Sequence, residues 1–162
     1  MEQLPDFWRT EVLHPLFVHF PIALLIIATF FKIASVWGIG KFLELPGTIL
    51  LIIGTIGGWL AIYTGNLADG IVSRTLCDPT VLKAHENNGY TMIWLFTAAL
   101  VLDLFYQNNR FKFKRVELKG FVILLMIIGS GYLGYVGHLG AKLVYQQAAG
   151  VYIPSGNCAE FN

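Results

Sequence analysis

The chain has 162 residues, of which 56% are hydrophobic and 13% charged, and its formal net charge is +1. Soluble domains carry about 25% charged residues, so a water-coated globule is excluded. The near-neutral balance offers nothing to nucleic acid. The two cysteines, Cys77 and Cys158, form no CxxC or CxxCH pattern, which excludes a zinc ribbon, a thioredoxin site and covalent haem attachment. The remaining class is an all-α integral membrane protein.

A bilayer core of about 30 Å takes roughly 20 apolar residues as a helix. The first such stretch runs over 14–37, after an outer segment, 1–13, that has neither a basic n-region nor a small-residue cleavage site and so is not read as a signal peptide. The second runs over 45–66, the third over 87–106 and the fourth over 118–145, with a tail at 146–162. Short connections between apolar helices predict a single four-helix transmembrane bundle over 14–145. Between the third and fourth spans lie Arg110, Lys112, Lys114, Arg115 and Lys119, while Lys32 and Lys41 follow the first span. Only Arg9, Arg74, Lys83 and Lys142 fall on the other side. This asymmetry predicts both termini on the periplasmic side of a bacterial inner membrane, in a multi-pass arrangement. Cys77 and Cys158 would then share an oxidising compartment and be able to form a disulfide; two free thiols are the alternative. Lys32 and Asp103, near the inner surface, are expected to snorkel or to pair with each other.

All four histidines, His14, His19, His85 and His138, fall in the outer half. Ionisable side chains in a membrane are costly and mark functional positions. By depth they sort into a deep pair, His19 and His138, and a shallow pair, His14 and His85. His14 and His19 stand about 140° apart around an ideal helix and do not share a face. The deep pair is expected to bind haem iron from two facing helices. Gly134 and Gly137, beside His138, would form a flat slot for the porphyrin, and Lys142 and Arg74 would meet its propionates. The shallow pair has several readings: a second haem, a Zn or Cu ion, a proton path to a quinone, or a helix cap for His85. Gly54 and Gly58 are read as close-packing positions between helices.

The segments His14-Pro15-Leu16-Phe17-Val18-His19-Phe20-Pro21, Thr64-Gly65-Asn66-Leu67-Ala68-Asp69 and Gly137-His138-Leu139-Gly140-Ala141-Lys142 resemble a bacterial membrane family, domain of unknown function 2231. The resemblance extends over the whole bundle. It implies a four-span protein, in a family some of whose members are joined to Rieske or cytochrome c modules, and so electron transfer with His14, His19, His85 and His138 as the matching polar positions. This chain carries no such module, so a redox partner or a larger membrane complex would supply it. The expected function is a b-type cytochrome subunit carrying electrons near the periplasmic face, with one or two haems and possible contact with quinone. A non-redox structural subunit and a Zn- or Cu-handling protein are the alternatives. No nucleophile–base set suggests an enzyme acting alone.

Overall fold

The computed structural model describes residues 6–37, 40–107 and 115–153. Its elements are four helices, α1 (Thr10–Ala34), α2 (Lys41–Val72), α3 (Pro79–Gln107) and α4 (Arg115–Gln147). All four are long and apolar enough to cross a membrane. Each predicted span is found, but α1 ends at Ala34, short of residue 37, and the other helices outrun the apolar stretches. α2 continues through Asn66 to Val72, and α3 begins at Pro79 rather than at residue 87. Hydropathy marks where a helix crosses lipid, whereas backbone hydrogen bonding continues into the polar region beyond it. α2, with 32 residues, is about 48 Å long, well over the hydrocarbon thickness.

Contacts are concentrated within two hairpins, α1 with α2 and α3 with α4, and the hairpins meet each other more sparsely. Glycines set the close approaches. A Cβ on Gly54 would lie 2.8 Å from Leu25, one on Gly58 2.5 Å from Ile93, and one on Gly129 3.0 Å from Phe96. The packing role expected of Gly54 and Gly58 is therefore observed. Leu25, Ile93 and Phe96 belong to a core completed by Ala28, Leu51, Met92, Ala99, Val122, Met126 and Leu133. Between the hairpins, Trp59 donates to the Thr97 hydroxyl at 3.1 Å and stacks edge-on against Trp94. Large apolar side chains such as Phe20, Phe30, Ile56 and Phe121 stay exposed, as a lipid-facing surface requires. Trp8 and Trp37 are exposed near opposite ends of α1, the placement of interfacial aromatics.

One end of the bundle gathers the start of α1, the α2–α3 turn and the end of α4. There the Asp78 carboxylate caps α3 by accepting bonds from the Thr80 hydroxyl (2.6 Å) and amide (2.9 Å), in the manner of an N-cap. These two bonds hold the Asp78 carboxyl below its ordinary pKa, so the cap weakens only as pH falls through that lowered value. The Asp78 amide in turn donates to Gln147 Oε1 at 2.8 Å, tying the turn to α4. α4 ends with the Ala149 amide donating to the Leu143 carbonyl and the Ala148 amide to that of Val144. Ala148 sits at φ +52°, a left-handed position that costs an L-residue about 1–2 kcal/mol. Ala148→Gly is expected to stabilise the protein by roughly 1 kcal/mol, measured as a higher midpoint of thermal unfolding.

The opposite end is closed by charge. Lys32, only 1% exposed, donates to Glu44 Oε1, Thr48 Oγ1 and Asp103 Oδ1, each at 2.7 Å. Its three protons thus find three acceptors. Asp103 is equally buried and also accepts from Thr48 at 2.6 Å and from Gln107 at 3.2 Å. Lys119 bonds the second Glu44 oxygen at 2.6 Å and the Ser35 carbonyl at 3.0 Å. Two cations and two carboxylates drawn from all four helices cancel. Lys32 and Asp103 pair, as expected, and the pair extends into this larger network.

Candidate functional site

His14 and His85 are the histidines that meet. Their ring centres lie 6.0 Å apart with planes at 87°, His14 coming from α1 of one hairpin and His85 from α3 of the other. Each ring is fixed by its own hairpin. His14 Nδ1 bonds the Ala61 carbonyl of α2 at 2.9 Å, and His85 Nδ1 bonds the Val136 carbonyl of α4 at 3.0 Å. A carbonyl only accepts, so each Nδ1 carries a proton, and in the neutral ring each Nε2 keeps its lone pair. That tautomer suits metal ligation through Nε2, with the second nitrogen anchored to the backbone.

Glycine makes room for both rings. A Cβ at Gly65 would stand 3.2 Å from the His14 ring, and one at Gly140 3.2 Å from His85 Cε1. In both cases the neighbour is a ring held by a hydrogen bond, which cannot swing aside freely. Around the pair, Thr64 returns its hydroxyl to the Ala61 and Leu60 carbonyls at 3.1 Å. Asn66 donates to the Tyr90 hydroxyl at 2.8 Å, linking α2 to α3 across the seam between the hairpins. Ala61, Ala68, Leu139 and Leu143 are buried on the neighbouring turns of α2 and α4.

The expected deep pair does not converge inside the bundle. His19 and His138 are both exposed, on the outer surfaces of α1 and α4. The reason is helical phase. His14 lies in line with the buried Pro21, Leu25, Ala28 and Lys32, and a residue five positions after His14 must turn away from that stripe. On α4, Val122, Met126, Leu133 and Leu139 face inward, and Leu139 turns its neighbour His138 outward. Gly134 and Gly137 line no slot in the interior, for a Cβ on either would meet nothing within 4 Å. Lys142 is half-buried near the end of α4, and Arg74 is exposed in the α2–α3 turn; both lie at the histidine end of the bundle. Cys77 is exposed in the same turn. Cys158, Arg110, Lys112 and Lys114 lie outside the described residues.

Gly65 and Gly140 are site residues that depth and spacing did not single out. The available signal was their place in the Thr64-Gly65-Asn66 and Gly137-His138-Leu139-Gly140 segments, each holding a glycine that a half-buried imidazole packs against. No group of three or more His, Cys, Asp or Glu side chains is suited to a metal among the described residues.

A family model described as a predicted membrane protein, DUF2231, matches residues 10–152, which takes in all four helices and both imidazoles. No curated protein and no solved structure matches the chain.

Proposed function

From the premise that the chain belongs to the DUF2231 family of predicted membrane proteins, we propose that it is a b-type haem subunit carrying electrons within the membrane. His14 and His85 would hold its iron. The observation that carries this reading is the pair of imidazoles from opposite hairpins, each with its Nδ1 proton committed to a main-chain carbonyl. With ring centres 6.0 Å apart the two imidazoles stand close enough for one metal ion to be held by both, given metal–nitrogen bonds of about 2.0–2.1 Å. Perpendicular ring planes suit such a site, because each ring turns independently about its own bond to the metal.

The donor set also favours haem over zinc. A structural zinc takes four protein ligands and a catalytic one about three, whereas a porphyrin supplies four nitrogens and asks the protein for two. The sparse seam between the hairpins is where a flat group can enter. Bound haem would supply a one-electron couple tuned by its axial ligands and by burial. The chain's own residues do the rest. Ala61 and Val136 hold the rings and raise the basicity of Nε2, Gly65 and Gly140 let them seat, and the buried apolar turns exclude water. Lys142 and Arg74 remain the proposed partners for propionates.

The excess of basic residues at the Lys32 end favours a cytoplasmic position for it. The histidine end then faces the periplasm of a bacterial inner membrane, where a redox partner protein or a larger complex would exchange electrons. The test is an absorption spectrum of the chain purified from haem-replete cells, with haem quantified as its pyridine haemochrome. A Soret band that shifts on reduction, at one haem per chain, is the expected result. A colourless protein overturns the reading, and stoichiometric Zn or Cu without porphyrin would replace it with a metal-handling role.

A further inference from the structure

The two imidazole holders match position by position. In the first, the Ala61 carbonyl accepts from His14 Nδ1 at 2.9 Å, and Gly65, four residues on, packs against the same ring. In the second, the Val136 carbonyl accepts from His85 Nδ1 at 3.0 Å, and Gly140, again four residues on, packs against that ring. The position before each glycine differs: Thr64 on α2 and Leu139 on α4, both buried. The Thr64 hydroxyl divides its proton between the Leu60 and Ala61 carbonyls, each at 3.1 Å. A leucine has nothing to donate.

The consequence falls on the acceptor. A carbonyl oxygen has two lone pairs, and in an α-helix one of them takes the amide four residues on, here that of Gly65 or Gly140. On Val136 the other lone pair is left to His85. On Ala61, His14 and Thr64 compete for it. A threonine that returns its hydroxyl to its own helix is ordinary, but this one draws on the oxygen that holds an imidazole. The His14 Nδ1–H bond is therefore the weaker of the two, and a weaker bond there makes Nε2 a weaker donor. We infer that Thr64 is a positioning residue that makes the imidazoles unequal, with His14 the weaker Nε2 donor and His85 the stronger. The inference deepens the electron-carrier reading by saying how its site is tuned. A weaker donor stabilises ferric iron less, so Thr64 would raise the reduction potential of a bound haem. It rests on that reading only for this use.

The test reads the Nδ1–H proton of each ring by NMR, on the haem-free chain carrying isotope-labelled histidine in phospholipid nanodiscs. The two signals are assigned by their loss in His14→Ala and His85→Ala. Thr64→Val keeps the shape and removes the hydroxyl, so the His14 proton is expected to move downfield, as a stronger hydrogen bond requires, while that of His85 stays. Thr64→Ser returns the hydroxyl and should keep the wild-type position. Leu139→Thr is the reciprocal change, and should move the His85 proton upfield and leave His14 alone. In the haem-loaded chain, Thr64→Val should lower the midpoint potential and Thr64→Ser should not. A His14 proton that stays put in Thr64→Val, or moves as far in Thr64→Ser, overturns the inference. Movement of both rings together overturns it too, since a general loosening would do the same. Should Thr64→Val fail to fold, Leu139→Thr decides by itself. A colourless chain that shows these shifts keeps the role of Thr64 while removing the haem. A red chain without them overturns the role of Thr64 alone.

Discussion

His14→Ala and His85→Ala are each expected to cost the purified protein its Soret band, with haem content falling about tenfold or more. His19→Ala and His138→Ala should leave both nearly unchanged. The contrast is sharp because the two sets of histidines share a membrane half and a side-chain chemistry, and differ in whether they face the interior. Helix content and thermal midpoint, measured on the same samples, separate loss of haem from loss of fold. Each single replacement also leaves its backbone carbonyl, Ala61 or Val136, without the imidazole donor. A small fall in stability therefore accompanies the spectral change even when the helices persist. If His19 or His138 proves to be the residue whose loss bleaches the protein, the ligands lie on the outer surface and the assignment of the inner pair fails.

The second large effect is expected at the other end of the bundle. Lys32→Met is expected to destabilise the protein by about 3–5 kcal/mol, because it leaves the buried Asp103 carboxylate without a cation, and Asp103→Leu by less, because Lys32 keeps Glu44 at 2.7 Å. Lys32→Met combined with Asp103→Leu should recover most of that loss, since a well-packed apolar pair often equals a buried ion pair. The rescue will be incomplete, because Glu44 and Thr48 lose the donor they share. Unfolding in detergent, followed by circular dichroism for the two single variants and the double, measures the coupling directly. Additive losses in the double variant would show that Lys32 and Asp103 act independently, against the geometry of a 2.7 Å contact between residues almost wholly enclosed.

The architecture was legible because lipid imposes a simple rule, about 20 apolar residues per crossing, and four stretches of the chain obey it. The helix ends were not, since Leu67-Ala68-Asp69-Gly70 at the end of α2 and Pro79-Thr80-Val81-Leu82 at the start of α3 stay helical outside the apolar stretch. Among the histidines, depth along the helix pointed to His19 and His138, whereas phase around it turns His14 and His85 toward each other. That phase was written in the chain. On α1 the stripe Pro21, Leu25, Ala28, Lys32 leads back to His14. On α3 the buried Gly89, Met92, Phe96, Ala99 and Asp103 lead back to His85. Each stripe begins at an imidazole and ends at a member of the charged cluster. A polar residue at both ends of one apolar stripe is a stronger sign of an inward face than distance from the membrane surface. The carbonyl partners, Ala61 and Val136, were not legible, because main-chain acceptors leave no mark on residue type.

The unequal packing of the four helices has a mechanical corollary. A body assembled from two tight pairs has one line of weakness, which the charged cluster rivets at one end and single hydrogen bonds, Trp59 to Thr97 and Asn66 to Tyr90, cross further along. Beside the last of these stand two rings that belong to different pairs and have no direct bond between them. Whatever joins those rings adds a fastener, so cofactor loading and resistance to splitting should rise and fall together.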